Sequence, residues 1–184
     1  MKRVWSVAAL AAAFSLLAAD DASAQAGVFL GGGATMPTGD FGDAADVGWM
    51  GFGGVTFPVN QDGLFMGAEG FYGNNAHAVA GVESNLYGGN ALIGVNFYDA
   101  GEAGPFVGAG LGFMSHEVQF EAAPALDATE SAFALSGLAG LAFPLGGAQG
   151  TVTASFTRGF GDLEETMFAG IFAGIGIPLG GGGM

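Results

Sequence analysis

Apolar and polar positions along the chain fall into alternating blocks. Segments 27–36, 47–58, 64–72, 86–98, 105–115, 131–144, 151–160 and 166–179 carry no charge apart from Glu69 and Arg158. Acidic side chains collect between them. Asp40, Asp43 and Asp46 form one polar stretch and Glu83 marks a second; Glu117, Glu121, Asp127 and Glu130 form a third, and Asp162, Glu164 and Glu165 a fourth. Asp62, Asp99 and Glu102 occupy short, turn-like stretches. Each uncharged segment is long enough for a tilted membrane strand, which needs ~9–11 residues.

Within the segments the pattern has period two, which predicts strands with two distinct faces. In 47–58, Val47, Trp49, Gly51, Gly53, Val55 and Phe57 alternate with Gly48, Met50, Phe52, Gly54 and Thr56. In 86–98, Tyr87, Ala91, Ile93, Val95 and Phe97 face one way, with Asn90, Leu92 and Asn96 behind. Segment 151–157 sets Thr151, Thr153, Ser155 and Thr157 against Val152, Ala154 and Phe156. In the last segment Met167, Ala169, Ile171, Ala173, Ile175 and Ile177 share a face, with Phe168 and Phe172 opposite. A soluble barrel or sandwich also alternates, but its outer face is polar. Here the smooth aliphatic face has no charged counterpart, so it is expected to meet lipid, where a charge at the midplane costs roughly 2–4 kcal/mol.

Composition sharpens this. The chain is 51% hydrophobic and 11% charged, too few charges for an ordinary soluble surface. Its 37 glycines show no Gly-X-Y period, which excludes collagen. No apolar run reaches the ~20 residues of a spanning helix; the one shorter run lies at the start. Backbone groups in lipid must all be paired, so an apolar chain without spanning helices is expected to close into a barrel. The predicted fold is therefore all-β: a closed, antiparallel, eight-stranded transmembrane up-and-down barrel.

The start reads as a leader peptide. Lys2 and Arg3 precede an apolar stretch from Val7 to Ala19, and Ala22-Ser23-Ala24 or Ala24-Gln25-Ala26 offers a small-x-small cleavage site. The stretch is too short for an anchor and is followed by Asp20 and Asp21. The expected organisation is residues 1–26 as signal peptide (cleavage after Ala24 or Ala26), 27–179 as barrel and 180–184 as a glycine-rich tail. Removing the leader takes away two of three basic and two of 17 acidic residues, so the mature charge is 1 − 15 = −14. Arg158 is then the sole Lys or Arg, which excludes nucleic-acid binding through phosphates. The lack of cysteine decides nothing about compartment.

Connections alternate in length. Pro58 to Gly63, Asp99 to Gly104 and Leu145 to Gly150 have the Gly, Asp or Asn content of tight turns, whereas the longest alternate connection runs from His116 to Glu130. Phe57-Pro58-Val59, Phe143-Pro144-Leu145 and Ile177-Pro178-Leu179 end even-numbered segments, with Phe97-Tyr98 standing in for the fourth. Phe57, Phe97 and Phe143 would form one aromatic girdle, and Trp49, Tyr72, Tyr87, Phe133 and Phe156 the other.

In this architecture the chain resembles the small eight-stranded outer-membrane barrels: the OmpA-type transmembrane domain, OmpX and OmpW. The resemblance covers essentially the whole mature chain and rests on strand number, leader, girdles and loop alternation. It implies a bacterial outer-membrane location, both termini in the periplasm, long loops outside, and a monomer. The implied partners are outer-membrane lipids, lipopolysaccharide and the barrel-assembly machinery. Members usually end in an aromatic residue, whereas this sequence ends Gly180 to Gly183 and Met184; an internal signal around Phe168 and Phe172 is the expected substitute. A following peptidoglycan-binding domain is not expected.

Candidate chemistry is sparse, and neither enzyme activity nor a cofactor is expected. Ser115 and His116 are adjacent, so on a strand they point to opposite faces and cannot act as nucleophile and base. His77 has no serine two residues away. Asp40, Asp43 and Asp46 lack the ligand alternation of a calcium loop, so no metal site is expected. The Gly108-Ala109-Gly110-Leu111-Gly112 string has no lysine after it and reads as room for bulky side chains across a narrow lumen.

Two charges break the pattern. Glu69 has inward parity with Phe65 and Phe71, and its donors are expected among Asn90, Asn96, Thr151, Thr153 and Ser155. Arg158 has outward parity and reads as an interfacial arginine; the alternative is a bulge that turns it inward to pair with Glu69. The expected interior mixes Gly, Thr, Ser and Asn with Phe29, Met50, Phe52, Phe65, Phe106, Met114 and Phe172, and eight strands are just wide enough for side chains to fill. Three functions stay open: a structural barrel with a closed or narrow porin-like lumen, a passive channel for small apolar solutes, and a surface receptor or adhesin acting through acidic loops.

Overall fold

The structure, a computed structural model, describes residues 26–179 except Ala78, Ala100 and Glu165. The expected leader and the 180–184 tail lie outside these residues. Eight strands follow one another: β1 (Gly27–Thr38), β2 (Gly48–Pro58), β3 (Leu64–Ala76), β4 (Val82–Asn96), β5 (Gly104–Phe120), β6 (Ala128–Leu145), β7 (Ala148–Gly159) and β8 (Met167–Pro178). Each pairs antiparallel with its sequence neighbour, and β1 pairs with β8 to close the barrel. A short helix, α1 (Asp40–Ala44), follows β1.

Every uncharged segment became one strand. The tight connections gather at one end, where β1 begins and β8 finishes, with Gly27 opposite Pro178. We call this the turn end, and the other, which carries α1 and the longer connections, the loop end. At the turn end Gly63 (φ 85°) and Gly146 (φ 66°) take the left-handed backbone that tight reversals require.

At the loop end the strands outrun the uncharged segments. The β3–β4 and β5–β6 hairpins continue to Ala76 opposite Glu83 and to Val118 opposite Ala128. Glu83, Glu117 and Glu130, expected in connections, therefore sit on strands, and the connection expected over 116–130 shrinks to the residues between Phe120 and Ala128. The reason is that charge limits where a strand can meet lipid, while antiparallel pairing continues wherever both partners rise together.

The interior is packed by a recurring device: an inward phenylalanine lies on a glycine directly across the strand pair. Phe29 faces Gly54, Phe52 faces Gly31, Phe65 faces Gly94, Phe71 faces Gly88 and Phe106 faces Gly140. A Cβ on Gly31 would come within 2.5 Å of Phe52 Cζ, and one on Gly140 within 2.6 Å of Phe106 Cζ. The glycines supply the room that a narrow barrel otherwise lacks. Large apolar side chains cover the outside, including Leu30, Ile93, Leu111, Leu141, Val152 and Ile171, all more than 45% exposed.

Candidate functional site

The lumen differs at its two ends. Toward the loop end it is filled by Met50, Leu86, Met114, Ala134, Phe168 and Phe172, capped by Phe41 and Ala45 around α1 and by Leu163 from the β7–β8 connection. Leu86 and Met114 are completely buried. Phe52 stands edge-on to Phe172, with ring centroids 5.5 Å apart. Side chains from five strands and two connections thus pack into one buried cluster. The sequence pattern assigned several of them inward, but α1 and Leu163 come from polar connections that gave no core signal.

Below this roof lies a cavity of about 850 Å³, whose lining continues to Pro58, Asn60, Gln61, Asp99 and Gln149 among the turns. It is a cup with its mouth at the turn end. Phe29, Phe52, Phe65 and Phe106 line it together with Thr151, Thr153 and Ser155 from β7. Glu69 also lines the cavity and accepts a 2.9 Å hydrogen bond from Asn90 Nδ2. Asn90 itself is 5% exposed, and its Oδ1 has no partner among the described residues. Asn96 is part of the same lining, nearer the mouth. Of the donors expected for Glu69, the structure pairs it with Asn90.

Arg158 does not reach this interior. It is exposed on β7, opposite Leu135 and Met167, and its guanidinium carbon is 6.0 Å from the Phe160 ring centroid. No bulge interrupts the register from Ala148 to Gly159, so the inward alternative is corrected: outward parity holds, and Arg158 does not meet Glu69. The aromatic residues named for the girdles also face out. Trp49 and Tyr72 lie 5.8 Å apart, and the Tyr72 hydroxyl donates to Asn85 Oδ1 at 2.8 Å. Tyr87 is exposed beside them at the loop-end side, whereas Phe97 and Phe143 are exposed near the turn end. Phe57 is half-buried next to Pro58.

A polar cluster missed by sequence reading sits in the roof, above the uncharged segments. Ser84 Oγ lies 2.7 Å from His77 Nε2 and 2.8 Å from His116 Nε2, and His116 Nδ1 lies 3.3 Å from Thr166 Oγ1. One hydroxyl proton can serve only one ring, so Ser84 donates to one histidine and accepts from the other. The Phe41 ring packs edge-on against His116 at 5.1 Å. Burial, and then the neighbouring His77, push the His116 ring down to about 4; burial also lowers His77, partly offset by Asp46. Both rings are neutral at pH 7. Ser115 points the other way, bonded at 2.7 Å to Ser131, as alternation requires.

The cluster has the residue types of a nucleophile and base, but Ser84 is 0% exposed, so no substrate reaches its oxygen. Searching for a His-x-Ser pair on one strand could not find it. The signal was shared inward parity on β4 and β5, readable only once the hairpin register sets Leu86 opposite His116. Among the described residues no group of three or more His, Asp or Glu comes together to hold a metal. A separate buried polar contact is made by Asn75, whose Nδ2 donates to Thr35 Oγ1 at 3.2 Å and to the Asp46 carbonyl at 2.9 Å.

No protein-family model matches the sequence, and no curated protein matches it. Solved structures do. Neisserial surface protein A is 14% identical, with a TM-score of 0.70 over 84% of this chain and 97% of its own. The N-terminal β-barrel domain of Pseudomonas aeruginosa OprF is 18% identical, with a TM-score of 0.52 over 84% and 100%. Ail, the attachment invasion locus protein of Yersinia pestis, in complex with the heparin analogue sucrose octasulfate, is 13% identical, with a TM-score of 0.51 over 84% and 98%. At these identities the likeness is one of fold: the chain is built as small eight-stranded outer-membrane barrels are built.

Proposed function

We propose that this chain is an integral protein of the bacterial outer membrane, exported by a cleaved leader, and that it serves as a structural barrel with a closed lumen. The observation that carries this reading is the combination of an apolar exterior with an apolar roof. Leu30 (61% exposed), Leu111 (59%), Leu141 (59%) and Ile171 (57%) come from β1, β5, β6 and β8, so the apolar surface encircles the barrel. A continuous exposed belt of this kind far exceeds the patches that soluble monomers carry. The turn end, with both barrel termini, then faces the periplasm, and α1 faces outside. The roof removes a continuous path, which disfavours the solute-channel reading.

The acidic loop end also narrows the receptor reading. Ail was crystallised with a highly sulfated sugar. Here Asp40, Asp43, Glu83, Glu117 and Glu130 crowd the loop end, and Arg158 is the one Lys or Arg in the barrel, so a polyanion would be repelled.

The experiment is deletion of the chain from its host, followed by two assays. A structural role predicts greater sensitivity to detergents and bulky dyes with uptake of small solutes unchanged. Slower uptake of a solute through an otherwise intact barrier would contradict it.

A further inference from the structure

The cup below the roof holds an arrangement that a merely structural barrel does not require. Glu69 is set into its wall about five residues up β3 from the mouth, ~16 Å along the strand at the usual rise. Among the described residues its carboxylate accepts from Asn90 Nδ2 alone, although a carboxylate offers about four acceptor sites. Asn90 Oδ1 turns the other way, over Gly112 on β5, and is covered there. Of the two, Glu69 alone therefore offers the cavity acceptor capacity that lacks an N–H or O–H donor. Among the described residues no Lys, Arg or His lines the cavity, and the barrel's one arginine is outside.

The rest of the cup suits an organic body. Phe29, Phe52, Phe65 and Phe106 present rings to it, and Thr151, Thr153 and Ser155 form a polar strip on β7. Asp99 stands in the lining at the mouth, adding a second negative charge on the way in. An anion is disfavoured at both points. A neutral apolar molecule would fill the body of the cup yet leave the Glu69 carboxylate unanswered. A primary ammonium answers it, since its N–H donors pair with the carboxylate and aromatic walls favour a cation.

We infer that the cup is a binding site for a small organic cation, a primary ammonium on an aromatic or aliphatic body, with the Glu69 carboxylate as its acceptor. The inference rests on the outer-membrane reading for its direction of entry, from the periplasm. The site is a dead end, so occupancy, and not passage, is what it provides.

The test uses the mature protein refolded in zwitterionic nanodiscs, titrated calorimetrically with 2-phenylethylammonium, 2-phenylethanol and phenylacetate, with empty nanodiscs as reference. The expected order is cation first, alcohol at least about tenfold weaker, and acid weakest. Glu69→Gln should weaken the cation by about tenfold or more and leave the alcohol unchanged. Thr153→Trp, which fills the cup and keeps Glu69, should weaken cation and alcohol together. Equal affinity for the three probes, indifference to Glu69→Gln, or no heat above that of empty nanodiscs would overturn the inference. Gel migration of the same samples with and without heating reports on the barrel separately, so a folded barrel that ignores the cation overturns this inference alone.

Discussion

Replacing Leu111 by arginine separates a lipid-facing surface from a water-facing one. Leu111 is 59% exposed on β5, with Ala91 and Leu135 as its cross-strand partners. A strand rising ~3.3 Å per residue and tilted ~40° climbs ~2.5 Å per residue along the membrane normal, so ten steps cover the ~25 Å apolar band of such barrels. The uncharged segment 105–115 has that length, and Leu111 falls within one residue of its centre. An arginine there should cost about 2–4 kcal/mol. Leu145, 51% exposed at the turn end of β6, is the control, and arginine there should cost about 0–1 kcal/mol. On a water-facing surface both changes would lie within about 0.5 kcal/mol of the parent. The assay is reversible denaturant unfolding in phosphatidylcholine vesicles. A difference of about 2 kcal/mol, or roughly thirtyfold in the unfolding constant, is expected. Equal shifts for the two variants would refute the assignment of the outer face.

Other expectations follow from the interior. Gly140→Ala would place its Cβ 2.5 Å from the Val152 carbonyl oxygen and 2.6 Å from Phe106 Cζ, and should destabilise by about 1–3 kcal/mol in the same assay. Gly137→Ala, with nothing within 4 Å, should stay within about 0.5 kcal/mol; similar losses in both would contradict the Phe-on-Gly packing. Acid should loosen the roof. His116 binds its proton less tightly in the folded barrel than in the unfolded chain, so stability is fully present above pH 6.5 and falls as pH drops toward about 4. Allowing for solvent screening, the loss is on the order of 1–2 kcal/mol, and His116→Phe should remove most of it. A parent and variant with the same profile over that window would reject the role given to His116.

The barrel was legible because lipid and pleat impose simple rules. Charge-free runs located every strand, and parity put Met50, Phe52 and Leu92 on one face and Trp49, Ile93 and Val152 on the other. Parity also gave Glu69 and Arg158 their opposite directions. What escaped were features that depend on register between distant strands. The His77–Ser84–His116 cluster joins β4 and β5 to the β3–β4 connection, so no window along the chain contains it. The cup was hidden for a similar reason. Composition gave an interior of Phe, Gly and Thr, but only the register that seats Phe29, Phe52, Phe65, Phe71 and Phe106 on glycines shows space left at the turn end and none at the loop end. The extra length of β3 to β6 escaped because acidic residues end a membrane segment without ending a strand.

The central claim is that the roof closes the lumen of a barrel that spans a bilayer. Single-channel recording of the mature protein in planar bilayers, after heat-dependent gel migration has shown that it is folded, tests this most directly. The account predicts silence, because Met50, Leu86, Met114, Phe168 and Phe172 pack into one buried cluster toward the loop end. Discrete, reproducible openings from the folded barrel would contradict it.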